Sequence, residues 1–280
     1  MIEYNQCYWI DCLDPEKGLP YLAKLIDNGG MEKIGLGLFD APWGVGIGKT
    51  LQEGRNFHGR KLSVKKNKKY YQDKFDGDWN LEWFGYAQRI CENNINLIAN
   101  KKKKWWYRNT DPVGEIIITH PNGHSQSKVA SNHRYSTYLC YGKFKKKLTT
   151  DSWDYTIPWG FLSKEKQIKH PTPKGTEIPL RLFMELRPES VLDCFAGSSS
   201  YLYAAHLLGI KFIGYEIDSI YKHDKRYRFS QKTLGKYRYL LENVKKSEEA
   251  RIREKQFRKE QNRKYSQTSL FDYQIEFIEV

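Results

Sequence analysis

The chain has 280 residues, enough for one sizeable core and a small appendage. Its 47 lysines and arginines against 33 acids give a formal charge of +14, which disfavours acidic partners and favours polyanions. No run approaches the roughly 18–20 apolar residues of a membrane span, and MIEYNQCYWIDCLDPEKG lacks the basic-then-apolar order of a secretory signal.

In chain order, CYWIDCL (7–13) reads as a short buried strand, LPYLAKLID (19–27) as a helix and IGLGLFD (34–40) as a second strand. NLEWFGYAQRICENN (80–94) has helical spacing and leads into the strand NLIAN (96–100). EIIITHPNG (115–123) is strand then turn, and YSTYLCYGK (135–143) alternates like a half-exposed strand. EIPLRLFMELR (177–187) is helical, SVLDCF (190–195) a strand, SYLYAAHLLG (200–209) a helix and KFIGYEID (211–218) a strand. This alternation predicts an α/β fold: a Rossmann-like, mostly parallel sheet with helices on both faces, followed by a basic C-terminal helical extension. The expected divisions are 1–235 for the main domain, 236–266 for the extension and 267–280 for a terminal peptide. Within the main domain, 1–150 forms one half and 165–235 the other.

Cys7, Cys12, Cys91, Cys140 and Cys194 form no CxxC pair, so they read as reduced thiols of a cytosolic protein and no metal is expected. The positive charge lies in blocks at 60–71, 101–108, 143–147 and 222–229, interleaved with Tyr and Trp. Cations that displace counterions from phosphates, beside aromatic faces that stack on bases, make nucleic acid the favoured partner.

The stretch LFDAPWGVGIGKT (38–50) admits two readings. Its end echoes a phosphate-binding loop, G-x-x-x-x-G-K-[ST], but the position of the first glycine holds Trp43. Its head, FDAPW, requires instead a separate cofactor motif of strand, acid, glycine turn, helix and second acid-tipped strand. VLDCFAGSSSYLYAAHLLGIKFIGYEID (191–218) supplies each part, with Asp193 and Phe195 at a strand end, Gly197 and Ser198 in the turn and Glu216 closing the next strand. The G-x-G-x-x-G fingerprint of dinucleotide sites is absent from it.

That segment resembles the DPFAGSGTT…GIEID signature of the permuted, beta-type DNA amino-methyltransferases. WIDCLDP (9–15) is similar to that family's GDCLE strand, FDAPW (39–43) to its DPPY or DPPW loop, and HPTPKG (170–175) to HPTQKP. The likeness spans roughly residues 5–220 in the family's order, with Ala41, Cys194 and Gly175 in place of prolines and Ser199 in place of a glycine. The resemblance implies S-adenosyl-L-methionine as cofactor and double-stranded DNA, with a base flipped out, as substrate. It implies catalytic roles for Asp40, Pro42 and Trp43, and cofactor contacts from Asp11, Cys12, Thr172, Lys174, Asp193, Phe195, Gly197, Ser198 and Glu216. An aspartate-led loop resembles the adenine-N6 enzymes, whereas the cytosine-N4 enzymes more often begin with serine. Cytosine-N4 methylation and a catalytically inactive nucleic-acid-binding homologue stay open. QTSLFDY (267–273) resembles the peptides that dock on sliding clamps, through Gln267, Leu270, Phe271 and Tyr273; a terminal strand packed on the enzyme's own core is the alternative.

Overall fold

Strand-forming and helix-forming segments alternate through the first unit of the chain, Met1–Lys232; a second unit, Thr233–Val280, is described by itself. The computed structural model describes residues 2–42, 75–120, 135–155, 168, 170, 173–230 and part of 239–263. In order, the first unit holds β1 (Gln6–Tyr8), α1 (Leu19–Asp27), β2 (Ile34–Phe39), α2 (Gly77–Ile90), β3 (Cys91–Ile98), α3 (Lys103–Asn109), β4 (Gly114–Thr119), β5 (Tyr135–Gly142), β6 (Ser152–Asp154), α4 (Glu177–Leu186), β7 (Ser190–Asp193), α5 (Ser200–Leu207), β8 (Lys211–Tyr215) and α6 (Lys222–Ser230). In the second unit, the described residues between Tyr239 and Arg263 are helical and exposed.

The strands form one eight-stranded sheet in the order β1-β8-β7-β2-β3-β5-β4-β6. From β1 to β3 every pairing is parallel, and β5 runs against both of its neighbours. The arrangement is the Rossmann-like sheet expected from the sequence. One face carries Phe39, Ile98, Leu139, Leu192 and Ile213 into a core with Leu19 and Leu22 of α1 and Trp83 and Phe84 of α2. On the other face α5 lies close against β8. A Cβ on Gly214 would stand 2.4 Å from a methyl of Leu202, so glycine permits that approach.

Local chemistry explains the element ends. Asp76 caps α2 by accepting the Trp79 amide at 3.1 Å, and Arg187 closes α4 in the left-handed region with φ 50°. The strand expected over 7–13 is shorter than its apolar content suggests. Asp11 accepts the Leu13 amide and Asp14 accepts those of Glu16 and Lys17, which bends the chain out of extended geometry. The helix expected to reach position 94 ends at Ile90, and Cys91–Asn94 belong to β3. Pairing with β2 on one side and β5 on the other overrides helical periodicity there. β5 is buried from Thr137 to Tyr141 rather than half-exposed, because it lies between β3 and β4 inside the sheet.

Trp83 is the hub of the α2 face. Its ring centroid lies 5.3 Å from Phe39, 5.4 Å from Phe84, 6.2 Å from Trp106 and 4.9 Å from Phe195, and its indole nitrogen donates to Asn80 at 3.1 Å. It therefore braces both the end of β2 and the turn after β7. Trp83→Ala is expected to cost about 3–5 kcal/mol, read as a fall in the urea midpoint. An unchanged midpoint would contradict this role.

Candidate active site

The carboxyl ends of four adjacent strands form a row. β2 and β7 run parallel with Leu36 opposite Val191 and Gly37 opposite Leu192, so Asp40 and Asp193 emerge from the same edge of the sheet. β8 continues the row with Glu216, whose amide donates to the Tyr8 carbonyl at 2.9 Å, and Asp11 and Cys12 follow β1. The strand order reverses between β7 and β2, the place where open α/β sheets leave a crevice for ligands.

The turn after β7 is tightly held. Gly197 has φ +47° and Ser199 φ +61°, and a Cβ on Gly197 would stand 2.8 Å from the His170 ring. Side-chain bulk is therefore excluded at Gly197 by both conformation and space. The Gly197 amide donates to one Glu216 oxygen at 2.7 Å, and the Asp218 amide donates to the other at 2.8 Å. Asp193 accepts the Phe195 amide at 3.0 Å, and Phe195 packs its ring on Trp79 and Trp83.

The segment around 170–175 closes the crevice. The Lys174 ammonium lies 3.0 Å from an Asp40 oxygen, joining the loop after β2 to the loop before α4. Ala41 is buried and Pro42 half-buried. Burial pushes the Asp193 carboxyl well above the usual carboxylate range, the charges of Asp40 and Glu216 push the same way, and the Phe195 amide opposes them. Burial likewise raises Glu216, against the amides of Asp218 and Gly197.

Asp11, Cys12, Lys174, Asp193, Phe195, Gly197, Ser198 and Glu216 thus lie on this edge together with Asp40 and Pro42. Trp43, Thr172 and the peptide with Gln267, Leu270, Phe271 and Tyr273 lie outside the described residues. Two supporting residues carry no motif signal. Arg228 of α6 is buried and donates to the Ser198 hydroxyl at 3.2 Å, the Lys174 carbonyl at 3.3 Å and the Thr176 hydroxyl at 3.3 Å. Asp224, one turn earlier and fully buried, accepts the His170 amide at 2.8 Å. The run at 222–229 is therefore not a wholly solvent-facing basic block, as its composition alone suggests. Its i, i+4 acid–base spacing is the available clue.

The DNA methylase pattern (N6_N4_Mtase) matches residues 51–227, well over half of the chain. The chain belongs to the N6/N4 DNA methylase family. The match includes the 170–175 segment, the turn at Gly197 and α6, and it begins after Asp40, so the register of β2 and the Lys174 contact are what bring Asp40 to the site. Among solved structures, the methylase resembles the M1.HpyAVI–SAM complex with TM-score 0.50 and 17% identity, over 79% of this chain and 98% of that one. This likeness bears on the fold. TTHA0409, a DNA modification methylase from Thermus thermophilus complexed with S-adenosyl-L-methionine, scores 0.49 at 14% identity over 80% and 93%. PvuII DNA methyltransferase (cytosine-N4-specific) scores 0.48 at 15% identity over 76% and 86%. No curated protein matches the chain.

Methylases of this family take their methyl group from S-adenosylmethionine. The residues present suit that group. Asp193 and Glu216 are desolvated acids that gain from a cationic, hydroxyl-bearing ligand, while Lys174 suits its carboxylate. The buried Ser199 hydroxyl has no partner among the described residues, and each Glu216 oxygen keeps an acceptor site beyond its amide.

The raised Asp193 carboxyl has a consequence for the ligand-free methylase. The unfolded chain releases this proton near the usual value of about 3.9, whereas the fold retains it to higher pH. Stability is thus unpenalised below the unfolded value and falls as pH rises toward the folded one. Asp193→Asn removes the penalty and keeps an acceptor for the Phe195 amide. Ligand-free melts between about pH 5 and pH 8 are expected to rise by a few degrees, while S-adenosylmethionine affinity falls. A lower melting temperature with unchanged affinity would contradict this account.

Proposed function

We propose that this methylase transfers a methyl group to the exocyclic N6 of adenine in DNA. The observation that carries the reading is the placement of Asp40, 3.0 Å from Lys174 and beside the strand end that bears Asp193. When bound, S-adenosylmethionine supplies a methyl on a sulfonium. The chain's residues do the rest. An exocyclic amino nitrogen is a poor nucleophile because its lone pair is delocalised into the ring. Asp40 accepts a hydrogen bond from that amino group, and the carbonyl of Ala41 or Pro42 accepts another. These bonds favour a pyramidal nitrogen and stabilise the positive charge that grows as it is methylated. Lys174 keeps Asp40 ionised and oriented, and also suits the cofactor's carboxylate.

Trp43 follows this loop directly in sequence and supplies a face on which a flipped base would stack. Holding donor and acceptor on one sheet edge makes an otherwise bimolecular step effectively intramolecular. Aspartate at the head of the loop, as in adenine-N6 enzymes, favours adenine over cytosine. A setting among cytoplasmic DNA suits the five buried free cysteines.

Nucleoside digestion of duplex DNA treated with the enzyme and S-adenosylmethionine tests the proposal. N6-methyladenine is the expected modified nucleoside. N4-methylcytosine, or no methylated base despite cofactor binding, would overturn it.

A further inference from the structure

The helix that follows β3 is built against its own stability. β3 is parallel to β2 with Phe39 opposite Asn96, so the chain leaving β3 after Ile98 emerges at the same sheet edge as Asp40. There it forms a short turn, Asn100–Lys102, and then α3. Lys101, Lys102, Lys103 and Lys104 all fall at the helix's start, and its first turn carries no acid. Cations at that end oppose the helix dipole, which favours acids there. Solubility alone would be served as well by lysines elsewhere.

Most of these side chains are engaged. Trp106 is buried against Phe84 and Trp83, Trp105 sets its ring edge against Phe75 at 4.9 Å, and Lys102 lies 4.1 Å over the same phenyl ring. Lys103 pairs with Glu115 at 2.6 Å, and Tyr107 donates to the same carboxylate. The exceptions are Lys101, Lys104 and Arg108, which are exposed and have no acidic partner among the described residues. Their spacing, i, i+3 and i+7, puts them on one stripe about 10 Å long, from a rise of ~1.5 Å per residue. The tryptophans fix that stripe in place, so little ordering entropy is lost when it meets a partner.

We propose that Lys101, Lys104 and Arg108 form a phosphate clamp that grips the DNA backbone beside the target base. The inference rests on the DNA reading given above and adds the surface on which the duplex is seated. A rigid row of unpaired cations beside the catalytic carboxylate fits a strand of phosphates whose base enters the crevice. The row carries no base-reading role, so it contributes affinity and seating on every sequence.

The experiment compares the full-length protein with K101Q/K104Q/R108Q, the charge-conserving K101R/K104R/R108K, and a charge-matched control, K33Q/K145Q/K211Q. The control lysines line a pocket at the opposite sheet edge, near Glu32 and Glu189. Binding to a duplex is titrated over a range of KCl, alongside S-adenosylmethionine affinity and steady-state methylation. For the clamp variant, the slope of log affinity against log salt is expected to fall by about 2–3, since each phosphate contact contributes ~0.9. Its KM for DNA should rise at least tenfold, with cofactor affinity and kcat at saturating DNA unchanged. The charge-conserving variant and the control should keep the wild-type slope. A wild-type slope in the clamp variant, or an equal fall in the control, would overturn the proposal. So would unchanged DNA binding with loss of binding to phosphatidylserine vesicles. Wild-type protein that binds no duplex at any salt would defeat the DNA reading itself, a separate result.

Discussion

The parallel pairing of β2 with β7 is the constraint on which the site depends. Side chains alternate along strands, and parallel neighbours end at the same edge, so aligning Leu36 with Val191 leaves little freedom in where Asp40 emerges. A slip of one residue would send Asp40 to the other face and break its 3.0 Å contact with Lys174. The register is guarded from both sides. Phe39 is locked into the aromatic cluster around Trp83, and a Cβ on the neighbouring Gly37 would stand 2.4 Å from the Asn94 side-chain oxygen.

Around that pairing the methylase gathers charges that the fold alone would not favour. Asp193, Glu216, Asp224 and Arg228 are all largely removed from water, and burial holds the first two above the usual carboxylate range. Desolvated charge is costly unless it is hydrogen-bonded, and here backbone amides of Phe195, Gly197, Asp218 and His170 do much of that work. α6 acts as a keel, because Arg228 ties Ser198 to the Lys174 backbone. The cofactor turn and the segment that reaches Asp40 are thereby joined through one side chain.

Much of this is legible in the sequence where local chemistry and tertiary position agree. LPYLAKLID forms α1 over its full predicted range, and IGLGLF and SVLD form the two central strands with their acids at the ends. Cys91–Asn94 read as helix because two asparagines are poor strand formers by themselves, and only neighbours on both sides of the sheet make that segment a strand. Arg228 and Asp224 are hidden for a related reason. Among lysines, histidine and arginines their charges look like surface, and only packing against 170–176 and Ser198 identifies them as buried. The lysine run at 101–104 reads as a loop until Trp105 and Trp106 are seen to anchor it.

The most direct test of the central claim is the behaviour of Asp40→Asn. If Asp40 acts on the amino group while the turn at Gly197 holds the cofactor, the variant should bind S-adenosylmethionine with near wild-type affinity. Its methyl transfer to DNA should fall by a factor on the order of 100 or more, as for loss of a charged group that acts on the transition state. Transfer at the wild-type rate would show that the carboxylate at the end of β2 does not face the reacting nitrogen.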